Sequence, residues 1–221
     1  MDKQYFKQKY EELLNSSKKR NFKQRVELIF SLKDLDLKKP ENQLEFYVVL
    51  PHELGKKPKI CCIADNNVLQ EAKNVFDTVL TQEDLKSIDK KSAKKLVKSH
   101  DWFVASSSLM PLLARVMGKF LGSRGKMPSP KAGTIITEKT NLKDLKQKLE
   151  RLVKVVVKKQ LAIQAVVGRE DMNPEHVVEN IAELFNNVVK QLPREERNLK
   201  AVYLKLTMSK PLKIYPLQKK D

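Results

Sequence analysis

Lys59-Ile60-Cys61-Cys62-Ile63-Ala64 is the stretch that decides the fold of the middle of the chain. Its apolar run has no polar alternation, which is typical of a strand covered on both faces in a parallel sheet. Segments with helical spacing follow it along the chain. The short segments 78–81 and 102–105, which lie between these helical segments, predict two further strands. Strands that alternate with helices predict a small parallel α/β domain.

Both ends of the chain show another pattern. Between residues 26 and 33, apolar residues recur at every second position, which predicts a strand with one buried face. The apolar segment 44–50 predicts a strand paired with this one. Asn173-Pro174-Glu175 predicts a helix start, because Asn can cap, Pro fits the first turn and Glu suits the positive end of the dipole. Residues 201–208 alternate again and predict a strand near the C-terminus.

These patterns together predict one domain built from both termini, with another domain inserted between them. Segments 51–58 and 157–160 are the candidate hinge strands, since the first contains Gly55 and two prolines. Periodicity alone equally permits a single α/β protein, so this discontinuous layout remains one of two interpretations of the pattern.

The charge of the chain favours a polyanionic partner. The formal net charge is +17, and the segment 86–159 carries 19 Lys or Arg residues against five acids. Nucleic acids and anionic membrane surfaces both suit such a patch. The alternative is a lysine-rich surface that serves solubility. We expect no membrane span and no signal peptide, because no stretch approaches about 20 apolar residues.

The segment 122–133 contains three glycines and the cations Arg124, Lys126 and Lys131, so it could act as a phosphate-binding loop. It lacks the Gly-Lys-Ser/Thr ending of a P-loop, and the alternative is a structural loop that closes the central domain. Neither a Gly-x-Ser-x-Gly turn nor another catalytic constellation is recognisable, which argues against an enzyme. The scattered histidines and two adjacent cysteines predict no metal site and no disulfide.

Two weaker signals lie near the ends of predicted strands. Thr207-Met208-Ser209-Lys210 is small, polar and basic, and such a group can bring backbone amides close to a nucleic-acid backbone. The alternative is a polar turn that ends a strand. Phe22 lies between the cations Arg20 and Lys23 and could stack on a base, although by itself it fits a core residue better.

Several blocks of the chain follow one another in the order known from one protein family. Leu121-Gly122-Ser123-Arg124-Gly125-Lys126-Met127-Pro128-Ser129-Pro130-Lys131 resembles the signature of that family, the ribosomal protein L1 family, in which Pro usually stands at position 123. The segment 20–29 resembles the N-terminal segment of the family's archaeal branch. Gly168-Arg169-Glu170-Asp171-Met172 and the segment 202–208 match further family blocks in the same order. The resemblance covers nearly the whole chain.

The resemblance implies a two-domain L1 fold of α/β and α+β class. Domain I would be a discontinuous α+β unit of residues 1–57 and 158–221, and domain II a Rossmann-like α/β insert of residues 58–157. The family binds 23S rRNA and forms the mobile stalk of the large ribosomal subunit, beside the tRNA exit site. The implied partners are 23S rRNA, the chain's own mRNA as a repression target, and deacylated tRNA. A free monomer on cytoplasmic ribosomes, without cofactor, metal or enzymatic activity, is expected.

The resemblance also implies an RNA-binding surface on domain I. The matching positions are Phe22, Glu27, Gly168, Arg169, Thr207, Met208 and Ser209, with secondary contacts from Arg124, Lys126 and Lys131. The family usually has Gly at position 209, and a side chain there could either crowd the RNA or add a hydrogen bond. Two alternatives remain, an RNA-processing enzyme with a nucleotide site in the central domain and a ribosome-assembly factor that shares the fold.

Overall fold

A computed structural model describes residues 2–39, 42–137 and 140–216 of the chain. The chain divides into two compact units. Unit 1 is formed by Met1–Lys56 together with Arg151–Asp221, and unit 2 by Lys57–Glu150. The mixed α/β and α+β class expected from the sequence is confirmed.

Unit 1 is built on a four-stranded antiparallel sheet. Its order is β10 (Leu212–Tyr215), β9 (Leu199–Leu206), β1 (Arg25–Leu32) and β8 (Ala162–Arg169). The predicted alternation in β1 is confirmed, because Val26, Leu28, Phe30 and Leu32 are all buried.

Two helices, α1 (Lys3–Ser16) and α7 (Pro174–Gln191), pack together and share one core with this sheet. Phe185 of α7 is buried in this core, with its ring centroid 5.7 Å from that of Phe6 and 6.1 Å from that of Phe30. The predicted start of α7 is also confirmed, since Asn173 Oδ1 accepts the backbone N–H of Glu175.

The second strand of the chain does not pair as the sequence suggested. β2 (Leu44–Val49) was expected to pair with β1, but it pairs antiparallel with β7 (Leu152–Val157) in a separate two-stranded sheet. Both long edges of β1 are already occupied by β8 and β9, and so no edge remains for β2.

This pairing moves the second boundary between the units. The expected insert of residues 58–157 included β7, whereas β7 belongs to unit 1 and the chain leaves unit 2 at Glu150. The candidate hinge segment 157–160 joins β7 to β8 inside unit 1. It therefore does not connect the two units, and the crossings occur at Lys56–Lys57 and Glu150–Arg151.

Unit 2 contains a four-stranded parallel sheet in the order β4 (Thr78–Leu80), β3 (Ile60–Ile63), β5 (Trp102–Ser106) and β6 (Ile135–Ile136). All four residues of β3 are buried, as its apolar run predicted. The helices are α2 (Leu69–Val75), α3 (Gln82–Ser87), α4 (Lys90–Ser99), α5 (Met110–Ser123) and α6 (Leu142–Glu150). Burial raises the pKa of both Cys61 and Cys62 to about 12, so these free thiols are unreactive core residues.

Candidate nucleic-acid interface

Three chain segments meet at one end of the unit 1 sheet: the residues just before β1, the loop after β8 and the turn after β9. Their closeness follows from the antiparallel register, in which Arg25 lies opposite Arg169 and Val26 lies opposite Leu206. Segments distant in sequence, containing Phe22, Arg169 and Thr207, therefore reach the same end of the sheet.

A buried glutamine holds these three segments together. The Gln24 side chain is 2% exposed; its Nε2 donates to Glu170 Oε2 at 3.1 Å, and its Oε1 accepts the backbone N–H of Met208 at 3.0 Å. Its backbone N–H donates to Glu170 Oε1, and its carbonyl accepts the backbone N–H of Glu170. Hydrogen-bonded buried polar groups fix local geometry, so Gln24 sets the positions of the two loops.

Sequence reasoning missed both Gln24 and Glu170. The available signal was the phase of Gln24, which precedes Val26 and Leu28 by two and four residues and so shares their buried face. A polar residue in the buried phase of a strand needs partners, because an unpaired buried amide is costly. The identity of its partner, 146 residues away, could not be read from that pattern.

Thr207 extends the pairing of β1 and β9 by one residue. Its Oγ1 accepts the backbone N–H of Arg25 at 3.0 Å, and its own N–H donates to the Arg25 carbonyl at 3.1 Å. The side chain is exposed, and a hydroxyl that accepts one hydrogen bond can still donate another. Thr207 can therefore present a fixed hydroxyl donor to a ligand.

Two large apolar side chains are exposed in the same segments. Phe22 is 50% exposed and Met208 is 59% exposed. The interpretation of Phe22 as a core residue is therefore wrong. Exposed aromatic and thioether side chains beside cations suit contact with the flat faces of bases or with ribose.

Glu27 and Gly168 lie at different depths. Glu27 is half-buried on the outer face of β1, and its Oε2 accepts the amide of Gln164 at 2.7 Å. Gly168 is buried, and a Cβ at this position would lie 3.1 Å from Val177 Cγ2 and 3.3 Å from Met172 Sδ. The absence of a side chain at Gly168 lets the end of β8 pack tightly against α7.

Arg169 is engaged by a neighbouring acid. Its guanidinium donates from Nε to Asp171 Oδ1 at 2.8 Å and from Nη2 to Asp171 Oδ2. This pairing raises the pKa of Arg169 and holds the pKa of Asp171 below its usual range. The pair orients the guanidinium plane, while it reduces the net charge that Arg169 offers to an anion.

Ser209 folds its hydroxyl back onto its own turn. Its Oγ accepts the backbone N–H of Leu206 at 2.8 Å and lies 3.1 Å from the carbonyl of Lys210, to which it can donate. The side chain is half-buried. The serine at the position where the family usually has Gly therefore closes the turn instead of projecting from it.

A cavity of about 480 Å³ opens beside this surface in unit 1. It lies next to Gln24 and Glu170, and four exposed cationic side chains line it, namely Lys18, Lys19, Arg20 and Lys23. These cations add positive potential around the site without forming part of the Gln24 hydrogen bonds.

The three secondary cations lie in unit 2 and differ in their environment. Arg124 and Lys131 are exposed. Lys126 Nζ instead donates to the carbonyls of Val97 and His100, at the C-terminal end of α4, and burial lowers its pKa. The loop that carries these residues follows helix α5 and not a strand, so it differs from a P-loop in its setting.

In the part of the chain that the structure describes, no helix is both long and apolar enough to cross a membrane. A sequence profile described as the ribosomal protein L1p/L10e family matches residues 13–210. The chain is 45% identical over 201 residues to the large ribosomal subunit protein uL1 of Nanoarchaeum equitans, covering 89% of this chain and 93% of that protein.

The uL1 proteins of Thermococcus kodakarensis and Methanocaldococcus jannaschii are 39% and 36% identical to the chain. These matches cover 96% and 97% of this chain and 98% and 96% of the two relatives. All three relatives are named as ribosomal proteins and not as enzymes. The profile match and these relatives show that the chain belongs to the ribosomal protein L1 family.

Proposed function

We propose that the chain is a non-enzymatic component of the large ribosomal subunit that binds 23S-type rRNA through unit 1. The observation that carries this proposal is the hydrogen-bonded assembly around Gln24, which joins the segments containing Phe22, Arg169 and Met208. A surface that is preformed in the free protein loses little conformational entropy when it binds. The names of the relatives support the ribosomal assignment.

Selectivity for RNA would come from hydrogen bonds to ribose. The Thr207 hydroxyl can donate, and the carboxylate of Glu27 can accept from a 2′-hydroxyl, which DNA lacks. Glu27 would act as an acceptor and not as an electrostatic attractor, because it opposes the charge of the RNA. Phe22 and Met208 would contact base or ribose faces, and the net charge of +17 would supply attraction that depends on salt but not on sequence.

Finer aspects of the function follow from the family resemblance. We infer a place in the mobile stalk beside the tRNA exit site of cytoplasmic ribosomes, with deacylated tRNA as a transient partner. We further infer that the free protein is a monomer that binds its own mRNA on the same surface and represses its translation. Competition between a leader fragment of that mRNA and the rRNA fragment would test this last inference, since two ligands of one surface exclude each other.

Equilibrium binding at two salt concentrations tests the main proposal. The ligands are the stalk rRNA fragment, a scrambled RNA of equal length and the matching DNA. We expect a preference for the stalk RNA that persists at the higher salt concentration and is reduced at least tenfold by Thr207→Ala. Thr207→Ser is the matched control, because it keeps the hydroxyl that accepts from the Arg25 N–H. Equal binding to all three ligands that disappears at high salt would overturn the proposal, because charge alone explains such behaviour.

A further inference from the structure

Helix α4 carries five lysines within ten residues, at positions 90, 91, 94, 95 and 98, and all five side chains are exposed. At about 100° of rotation per residue, they occupy one continuous arc of about 140° around the helix. Ala93 and Val97 face the core, while Ser92 and Ser99 lie on the opposite flank. The lysines are therefore concentrated on one side of the exposed surface and not scattered across it.

The lysine arc, defined by these five residues, has no acidic counterpart in the described chain. None of its ammonium groups lies within 4.0 Å of a carboxylate belonging to residues 2–39, 42–137 or 140–216. Asp89 and Asp101, which flank the helix in sequence, accept the backbone N–H groups of Ser92 and Lys59. Like charges at i,i+4 spacing repel each other, and an anion bound to the arc would reduce this repulsion.

Lys126 adds a sixth positive charge at the end of this helix. Its ammonium binds the carbonyls of Val97 and His100, where the helix dipole would otherwise present partial negative charge. The positive potential of the arc therefore continues to the C-terminal end of α4. Lys126 contributes here from a half-buried position, while the five exposed lysines can contact a ligand directly.

We propose that the lysine arc of α4 is a second contact surface for RNA, which binds backbone phosphates without reading sequence. This inference rests on the proposed RNA-binding function and assigns a phosphate contact to unit 2. Lysine is a flexible point charge with three donors, which suits phosphates in varied positions. A row of such charges suits a strand on which phosphates recur at regular intervals.

The packing of α4 favours RNA over an anionic membrane. A helix that binds a membrane surface inserts its apolar face, but the apolar residues Ala93 and Val97 of α4 are buried in the core of unit 2. The large apolar side chains that the described chain exposes, Phe22, Val49, Leu161 and Met208, all belong to unit 1. The described part of unit 2 therefore has positive charge but no exposed large apolar side chain that could insert into a membrane. Positive charge is all that contact with the phosphates of RNA requires.

The salt dependence of binding to the stalk rRNA fragment tests this proposal on the full-length protein. The variant K90Q/K94Q/K98Q removes three charges of the arc, and glutamine preserves helix propensity. The control K190Q/K200Q/K213Q removes three exposed charges from unit 1, away from the segments joined by Gln24. Each lost phosphate contact lowers the slope of log K against log salt by about 0.7 to 0.9. We therefore expect the magnitude of this slope to fall by about two for the α4 variant and by less than one for the control.

Acetylation of lysines followed by mass spectrometry gives an independent readout on the unmodified chain. We expect Lys90, Lys94 and Lys98 to react several-fold more slowly when either stalk RNA or scrambled RNA is bound. The proposed role of the arc would be overturned if the two triple variants had equal slopes, or if the arc lysines reacted equally with and without RNA. Neither result would contradict RNA binding through unit 1. Protection by phosphatidylserine vesicles but not by RNA would also overturn it. A wild-type protein that binds no RNA would overturn the proposed function, and the arc with it.

Discussion

The carboxylate of Glu170 accepts two hydrogen bonds from Gln24, one from its backbone N–H at 3.0 Å and one from its amide group at 3.1 Å. A third bond runs in the other direction, from the Glu170 N–H to the Gln24 carbonyl. The remaining amide oxygen of Gln24 holds the backbone of Met208. One buried side chain thereby couples the stability of the loop after β8 to the shape of the turn after β9.

Replacement of Gln24 by leucine should damage both stability and RNA binding. The change leaves the Met208 N–H and one Glu170 oxygen without their buried partner, at a cost of about 1–3 kcal/mol in unfolding free energy. We expect urea denaturation to show this loss and the affinity for stalk RNA to fall at least tenfold at a temperature where the variant is folded. Gln8→Leu, at an exposed position of α1, is the control. Full affinity in a destabilised Gln24→Leu protein would contradict the positioning role.

Lys126 and Lys131 belong to the same loop but should respond differently to replacement by methionine. Lys126→Met removes a cation that binds two carbonyls at the end of α4, and we expect unit 2 to lose about 1–3 kcal/mol of stability. Lys131 is exposed, so its replacement should change stability by less than about 0.5 kcal/mol. Amide hydrogen exchange along α4 measures the difference. Equal protection in both variants would show that the Lys126 contacts do not stabilise the helix.

Two glycines provide a matched pair for backbone and packing effects. Gly55 has φ +75°, and a Cβ there would lie 2.8 Å from Met172 Sδ and 3.0 Å from Arg169 Cβ. Gly55→Ala should therefore destabilise the protein by about 1–3 kcal/mol. Gly118 lies within α5 with nothing within 4 Å of an added Cβ, so Gly118→Ala should stabilise it by about 0.5–1 kcal/mol. Thermal unfolding of both variants measures their midpoint temperatures relative to the wild type. A shift of the same sign in both variants would contradict the prediction.

Glu45 should make stability depend on pH. Hydrogen bonds from Lys154 and Lys158 lower the pKa of Glu45 from 4.5 to about 2. Because this folded-state pKa is depressed, the ion pairs stabilise the protein above about pH 4.5, and the contribution is lost as the pH falls towards 2. The carboxylate side chain is 30% exposed, so solvent screening limits the effect to about 1 kcal/mol.

The measurement for Glu45 compares urea denaturation of the wild type and Glu45→Gln at pH 6 and pH 3. At pH 6 we expect the wild type to have a larger free energy of unfolding than Glu45→Gln. At pH 3 we expect this difference between the two proteins to be smaller. Glu53→Gln replaces an exposed acid and serves as the control. A difference that is independent of pH would show that the two lysines contribute no net stabilisation through this carboxylate.

The local sequence predicted most of the individual elements. The alternation in residues 26–33 and 201–208 and the apolar run at residues 60–64 each became a strand, because side-chain periodicity depends only on neighbouring residues. The asymmetric charge and the family blocks of the sequence alone indicated an RNA-binding ribosomal protein. The exposure of Phe22 was not predictable in this way, since a single aromatic residue outside a periodic pattern fits a core residue better, whereas the side chain is 50% exposed.

Tertiary structure decided which elements became partners. β2 pairs with β7 because β8 and β9 already occupy both edges of β1, a competition that no local pattern encodes. Gln24 finds Glu170 for a similar reason, since the antiparallel register of β1 and β8 brings the two together. The sequence alone determined the periodicity, charge and composition of each segment. The choice among compatible strand edges and hydrogen-bond partners followed from long-range packing, because contacts between residues distant in sequence decide which strand edges and buried polar groups meet.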